Sequence, residues 1–69
     1  MPLKQTKEFG IYHWDTFDNV TLFIDEADTL KEAEAKVQER YARRLSGTGA
    51  DKVDIVTKSG TVVSHHSIM

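Results

Sequence analysis

The residues best able to do chemistry are a cluster of acids, Asp25, Glu26 and Asp28, which directly follows an apolar segment. Carboxylates at the end of a buried strand can coordinate Mg²⁺ beside a bound nucleotide. Holding the nucleotide also requires a phosphate loop of the form G-x-x-x-x-G-K-[ST], and the sequence contains none. We therefore interpret these acids as the approach to a helix, because negative charge stabilises a helix N-terminus.

The three histidines, His13, His65 and His66, are the remaining candidates for metal binding. Adjacent side chains on a strand point to opposite faces, so His65 and His66 cannot readily share one ion within one chain. Zinc usually takes four ligands, or three and a water, and there is no cysteine to complete the set. The sequence also offers no nucleophile–base pair and no cofactor loop. We therefore expect a protein without metal, cofactor or enzymatic activity.

Length and composition favour one small domain. The chain has 69 residues, a formal net charge of −2 and no cysteine. The charge gives no overall attraction to nucleic acid or anionic lipid, and the missing cysteine favours a cytoplasmic location over a disulfide-stapled secreted domain. No segment approaches the roughly 20 apolar residues of a membrane span. We expect residues 1–69 to form a single α+β domain in which the polar residues 1–7 are disordered.

One amphipathic helix is predicted over residues 28–45. Thr29 and Glu32 have the spacing of a capping box, with Asp28 as a competing cap. At about 100° per residue, an apolar stripe follows one side of this helix. Its members are Leu30, Ala33, Val37, Tyr41 and Leu45. Gly47 lies where a glycine commonly ends a helix.

Two hairpins flank this helix. Alternation of apolar and polar residues predicts four strands, at residues 8–14, 20–25, 51–57 and 61–66. The fold class is therefore α+β, a ββαββ chain with a four-stranded antiparallel sheet and one helix packed on one face. We favour strand order 2-1-3-4, although order 1-2-4-3 would also make every neighbouring pair antiparallel. The register of the last hairpin stays open: a two-residue turn puts Val62 on the core face, and a three-residue turn with a bulge puts Val63 there.

One helix can cover only one face of this sheet. We expect it to cover Ile11, Val20, Leu22, Ile24, Val53 and Ile55. By alternation, the residues on the other face are Tyr12, Trp14, Phe23 and Val56. Exposed patches that contain tryptophan and tyrosine commonly mark interfaces, so these four residues are the predicted partner interface. The alternative is that the N-terminal segment, or the side-chain stems of Lys52 and Lys58, cover them.

A basic flank lies toward the C-terminal end of the helix. It comprises Lys36, Arg40, Arg43 and Arg44, which could contact phosphates. Together with base stacking on exposed aromatic residues, this flank would make a nucleic-acid-binding module. The negative net charge disfavours that alternative, and basic residues near a helix C-terminus also complement its dipole.

The latter half of the chain resembles small uncharacterised bacterial ββαββ proteins. The matching residues are Thr29 to Ala33 at the helix start and Val53 to Thr61 in the last hairpin. This resemblance implies the fold and carries no activity over to any residue. We therefore expect a small cytoplasmic protein of bacterial or phage type that acts by protein–protein contact and self-associates as a homodimer.

Overall fold

The computed structural model describes residues 5–45 and 49–68. Its elements, in chain order, are β1 (Phe9–Asp15), β2 (Val20–Ala27), α1 (Leu30–Tyr41), β3 (Asp51–Thr57) and β4 (Val62–Ile68). The four strands form one antiparallel sheet in the order β2-β1-β3-β4, and α1 packs on one face of it. The predicted α+β ββαββ fold and the strand order 2-1-3-4 are therefore confirmed.

The helix begins where the sequence predicts and ends earlier. Thr29 is the N-cap: its backbone is extended, with φ −128° and ψ 155°, and its hydroxyl accepts the N–H of Glu32 at 3.1 Å. At the other end, the N–H groups of Arg44 and Leu45 both reach the carbonyl of Tyr41, at 2.8 and 3.1 Å. The chain therefore turns after Tyr41 instead of continuing to Leu45. Gly47, the predicted end signal, lies outside the described residues.

Replacing Thr29 with alanine should lower the free energy of unfolding by about 1 kcal/mol, because an N–H in the first turn loses its acceptor. Urea denaturation would measure this loss. Asp28→Ala is the matched control, since Asp28 is the competing cap and, among the described residues, its carboxylate makes only an exposed ion pair with Lys7 at 3.8 Å. Such pairs contribute little, so the control should change stability by less than about 0.5 kcal/mol. Equal losses in both variants would contradict the assignment of Thr29 as the cap.

The core lies between α1 and one face of the sheet, and all four strands contribute to it. Its buried members are Ile11, Ala27, Ala33, Val37, Tyr41, Val53, Ile55 and Ile68. Ile68 extends the predicted core, because β4 runs two residues further than residues 61–66. The buried side chain of Ile68 therefore helps to anchor the fourth strand.

The prediction that α1 also covers Val20 and Leu22 is wrong, because these side chains are 43% and 47% exposed. A helix is about 10 Å wide and strands are about 4.8 Å apart, so one helix covers about two strands. β2 is an outer strand, and α1 reaches only the end of it that leads into the helix, where Ala27 is buried. The first half of β2 is left uncovered on the helix side.

Both predicted registers of the last hairpin put a valine in the core, and the structure places neither Val62 nor Val63 there. Val56 pairs with Val62 and Ile55 with Ser64, so an irregularity at Val63 separates the two pairs. Both Val62 and Val63 are exposed. The end of β4 near the turn therefore projects past the part of the sheet that the helix covers.

Candidate protein-interaction site

The face of the sheet away from α1 carries the four predicted interface residues. In β1, Ile11 faces the helix, so Tyr12 and Trp14 point to the other side by alternation. Phe23 of β2 is paired with Tyr12 of β1, and Val56 of β3 is paired with Gly10 of β1. Paired residues point to the same side of the sheet, so Phe23 and Val56 lie on that side as well. We call the surface formed by Tyr12, Trp14, Phe23 and Val56 the open face. The structure thus brings all four residues onto one surface.

The four residues of the open face differ in accessibility. Tyr12 and Val56 are buried, Phe23 is half-buried, and Trp14 is 44% exposed. The rings of Tyr12 and Phe23 pack together, with centroids 5.4 Å apart and an angle of 54° between their planes. Burial raises the pKa of the Tyr12 hydroxyl, which therefore stays protonated and donates a hydrogen bond. Trp14 is accordingly the most accessible aromatic side chain of this face.

Gln5, a contact that the sequence did not predict, is hydrogen-bonded to both buried residues of this face, Tyr12 and Val56. The buried amide of Gln5 accepts the hydroxyl of Tyr12 at 2.7 Å and donates to the carbonyl of Val56 at 3.0 Å. It also donates to the carbonyls of Lys7 and Glu8, each at 3.2 Å. The alternative in which the N-terminal segment covers aromatic residues therefore holds for Tyr12.

Gly10 provides the space that Gln5 occupies. A side chain at position 10 would place its Cβ 2.7 Å from Cδ of Gln5 and 2.9 Å from a ring carbon of Tyr12. Real Cβ atoms do not come so close. A glycine inside an otherwise apolar strand often marks such a close approach, and this was the available signal for the missed contact.

Glu26 holds Thr6 and Lys7, the residues that follow Gln5, by hydrogen bonds. Its carboxylate accepts the backbone N–H groups of Thr6 and Lys7, both at 2.7 Å, and the hydroxyl of Thr6 at 3.0 Å. These bonds hold the pKa of Glu26 below its usual range, and the bond from the N–H of Lys7 has the largest effect. Disorder was expected for segment 1–7, but residues 5–7 have these defined partners, and residues 1–4 lie outside the described residues.

At low pH, the attachment of Thr6 and Lys7 to the carboxylate of Glu26 should be lost. A carboxyl whose folded pKa is depressed contributes stability above its unfolded pKa, about 4.3 for glutamate, and loses it as the pH falls through the folded value. The urea midpoint of the natural chain should therefore fall below about pH 4. Glu26→Gln should be less stable than the natural chain at pH 7, and the difference should vanish at low pH. A constant difference down to pH 2 would contradict this role of Glu26.

The charged groups on the open face are few and mixed in sign. Lys52 donates to the carbonyl of Gly49 at 3.0 Å and to the hydroxyl of Ser67 at 2.9 Å. Asp54 is paired with His65 on the neighbouring strand, and the two side chains are hydrogen-bonded. Among the described residues, this surface therefore has no excess of positive charge to attract phosphates.

The other two histidines hold elements together on the helix side. His13 lies between the carboxylate of Asp51 and the hydroxyl of Tyr41, each at 3.3 Å. Asp51 in turn accepts the hydroxyl of Thr16 at 2.8 Å, and bonds from Thr16 and then His13 keep the pKa of Asp51 low. This chain of polar contacts ties β1 and β3 to the end of α1.

His66 does not form a catalytic relay. Its Nε2 meets both the hydroxyl of Ser64 at 3.0 Å and the carboxylate of Glu34 at 3.1 Å, and Ser64 also bonds directly to Glu34. A serine–histidine–carboxylate relay uses the two ring nitrogens for the two partners. Among residues 5–45 and 49–68, no three histidines or acids are arranged to hold a metal ion.

The basic flank lies on the side of the sheet that carries α1. Lys36 is bound by the carboxylate of Asp25 at 3.4 Å, the carbonyl of Glu26 at 2.7 Å and the carboxylate of Glu32 at 4.0 Å. The pKa of Asp25 is lowered most by the hydrogen bond from the N–H of Glu26. The positive charges of Lys36 and Arg40 lower it further. These cations therefore have acidic neighbours from the chain itself.

The two arginines that follow the helix are placed differently. Arg44 lies over the ring of Tyr41, with its guanidinium carbon 5.7 Å from the ring centroid. Arg43 is exposed in the turn after α1. Nearer the middle of the helix, a shallow depression of about 380 Å³ is lined by Asp25, Lys36, Glu39 and Arg40.

These features define a two-layer α+β domain with an aromatic sheet face opposite its helix. Comparison with protein-family models gives no match, and comparisons with curated proteins and with solved structures give none either. In the described part of the chain, no helix has the length and apolar character needed to cross a membrane.

Proposed function

We propose that this chain is a non-enzymatic protein–protein interaction module that binds its partner through the open face, with Trp14 as the main anchor. The observation that supports this most is the exposure of Trp14, 44%, beside the packed pair of Tyr12 and Phe23. Tryptophan and tyrosine are the residues that most often dominate interface energies. A large apolar side chain left at the surface gains free energy when a partner removes it from water.

The surroundings of Trp14 are already ordered before any partner arrives. Trp14 lies in β1, which is paired on both sides, with Thr21 of β2 and Lys52 of β3 as its neighbours. The ring of Tyr12 is held by Gln5. Binding of a partner here therefore orders few additional loops or side chains. The entropic cost of binding is correspondingly small, which favours affinity.

A protein partner is favoured over nucleic acid by the arrangement of charge. The aromatic residues lie on the open face, whereas Lys36 and Arg40 lie on the helix side beside Asp25. A nucleic acid strand that stacks its bases on aromatic rings needs cations along the same surface. The open face instead carries acidic Glu26 and Asp54 near its aromatic residues.

The test is quantitative affinity capture of proteins from a lysate of the organism that produces this chain. The natural chain is compared with Trp14→Ala as the bait. We expect one protein to be captured by the natural chain and reduced at least about tenfold by the variant, the equivalent of about 1.4 kcal/mol. Leu30→Ala is the matched control, because Leu30 is also a partly exposed apolar residue but lies at the start of α1. A partner retained equally by Trp14→Ala would refute the proposal.

Self-association through the open face and a cytoplasmic location stay predictions. If two copies bind each other through Trp14, the fluorescence of this single tryptophan should shift to shorter wavelength as the concentration rises. Sedimentation of the natural chain and of Trp14→Ala over the same concentrations would show whether that shift reports a dimer.

A further inference from the structure

We propose that a second copy of this chain pairs with the outer edge of β2, and that the hairpin tip of each copy enters the depression beside α1 of the other. The hairpin tip is the turn at residues 16–19, between β1 and β2. This contact uses the edge of β2 and the helix side of the sheet and shares Phe23 with the open face, so the inference goes beyond the proposed function.

The first half of β2 is an unprotected edge. β2 is an outer strand of the sheet, and Val20, Thr21, Leu22 and Phe23 include no charged residue and no proline. Natural edge strands are usually blunted by charges, prolines or bulges, because their free backbone groups can pair with another strand. Here the irregularity of β2 comes only later, after Phe23. The side chains of Val20 and Leu22 are also exposed, as an arriving strand would require.

The other outer strand, β4, offers a less suitable edge. Its helix-side residues Ser64 and His66 are hydrogen-bonded to Glu34. At its end, Ile68 is buried and bridges to Leu45. The exposed valines of this strand, Val62 and Val63, lie at its end near the turn, so the rest of this edge offers a second copy little apolar surface to bury.

An antiparallel pair of β2 strands brings the two apolar edges together. A two-fold axis perpendicular to the sheet keeps both helices on one side, so Val20 and Leu22 of each copy meet those of the other. With Thr21 or Leu22 at this axis, the hairpin tip of one copy lies beside the far end of β2 in the other, where Asp25 borders the depression. The strand pairing and the hairpin contact therefore occur in the same arrangement.

The hairpin tip is held in a defined shape while its largest side chain remains free. The carboxylate of Asp15 accepts the N–H groups of Phe17 and Asp18, at 2.9 and 3.2 Å. Asp51 accepts the N–H of Thr16 at 3.1 Å. Phe17 is nevertheless 94% exposed. An ordered turn that presents an aromatic ring to water is pre-organised for insertion into a partner.

The depression offers two cations to the hairpin tip, beside the acidic Asp25 and Glu39. It presents Lys36 and Arg40, over which an aromatic ring gains cation–π stabilisation, and the exposed carboxylate of Asp18 can pair with Arg40. Because the interface is two-fold, Phe17 and Asp18 make these contacts twice in each dimer.

The surface area that each copy can bury in this contact indicates how tightly the dimer should bind. A standard interface removes about 800 Å² from each partner, which would be about 17% of the 4571 Å² surface of this chain. A four-residue edge and one hairpin tip supply less than that. We therefore expect a weak, reversible dimer with a dissociation constant on the order of micromolar.

Sedimentation velocity of the full chain, from about 1 μM to about 1 mM, tests the inference. Leu22→Lys, with Val20→Lys as a second variant, should weaken the dimer at least about tenfold. Val62→Lys is the matched control, because Val62 lies in the other outer strand and is 52% exposed against 47% for Leu22. Far-UV circular dichroism confirms that each variant is folded. A natural chain that remains monomeric, or equal weakening by Val62→Lys, would overturn the inference.

A charge exchange tests the hairpin contact separately. Asp18→Arg and Arg40→Asp should each weaken the dimer, and the double variant should restore it, because the pair then meets with its charges reversed. No restoration would overturn the placement of the hairpin tip. Trp14→Ala should leave this dimer unchanged. If Trp14→Ala separates the copies and Leu22→Lys does not, the open face mediates self-association and the edge inference fails while the proposed function stands.

Discussion

Replacing Ile68 with alanine is expected to lower the free energy of unfolding by about 2–5 kcal/mol. Ile68 is fully buried in the core although it lies at the end of β4, and it bridges to Leu45 across the sheet edge. The smaller side chain leaves a cavity and loses apolar burial. A domain of this length has a total stability of only about 3–10 kcal/mol, so the variant should be partly unfolded at 37 °C. Urea denaturation followed by circular dichroism measures the loss.

Val62→Ala provides the control within the same strand. Val62 is exposed at the other end of β4, so its truncation should change the free energy of unfolding by less than about 0.5 kcal/mol. Similar losses for Ile68→Ala and Val62→Ala would mean that the last residues of the strand do not pack into the core as described.

Replacing Gly10 with alanine should cost about 1–3 kcal/mol, even though alanine is intrinsically better than glycine inside a strand. The new Cβ would overlap the side chain of Gln5, which must then leave its site. Its departure leaves the hydroxyl of Tyr12 and the carbonyl of Val56 without their present partner. Denaturation would show the loss, and Tyr12 would become more accessible to solvent.

A double-mutant cycle separates this cause from simple crowding of the strand. In a Gln5→Ala background the conflict at position 10 is largely absent, so Gly10→Ala should cost much less there than in the natural chain. The coupling energy between the two positions should be about 1 kcal/mol or more. Additive effects would show that Gly10 and Gln5 act independently, and that the cost arises from the nearby ring of Tyr12 alone.

Local patterns predicted one helix and four strands, and left two strand orders open. Alternation along residues 51–57 matches β3 residue for residue, and the hydroxyl of Thr29 caps α1 as its spacing with Glu32 predicts. Two hairpins flanking one helix can form a fully antiparallel sheet in few ways, and of the two orders that remained the structure has the favoured one, 2-1-3-4. The alternation of β1 also placed Tyr12 and Trp14 on the face away from the helix.

Contacts between distant segments were not predictable in this way. Gln5 reads as part of a polar end, yet its amide bridges Tyr12 and Val56, which is 51 residues away. Val20 and Leu22 have the alternation of buried residues, yet they lie beyond the reach of the helix. Sequence patterns report which face a side chain takes, whereas burial depends on whether another element arrives above it.

For this protein, the sequence by itself determined the ββαββ architecture, the helix cap and the composition of the two sheet faces, because these depend on interactions between residues close in the chain. Only the tertiary structure decided which residues of each face are covered. Gln5 fills the space above Gly10 and buries Tyr12, while the narrow helix leaves the first half of β2 exposed. The surfaces left over, Trp14 on the open face and the edge of β2, result from how far the helix and the N-terminal segment reach.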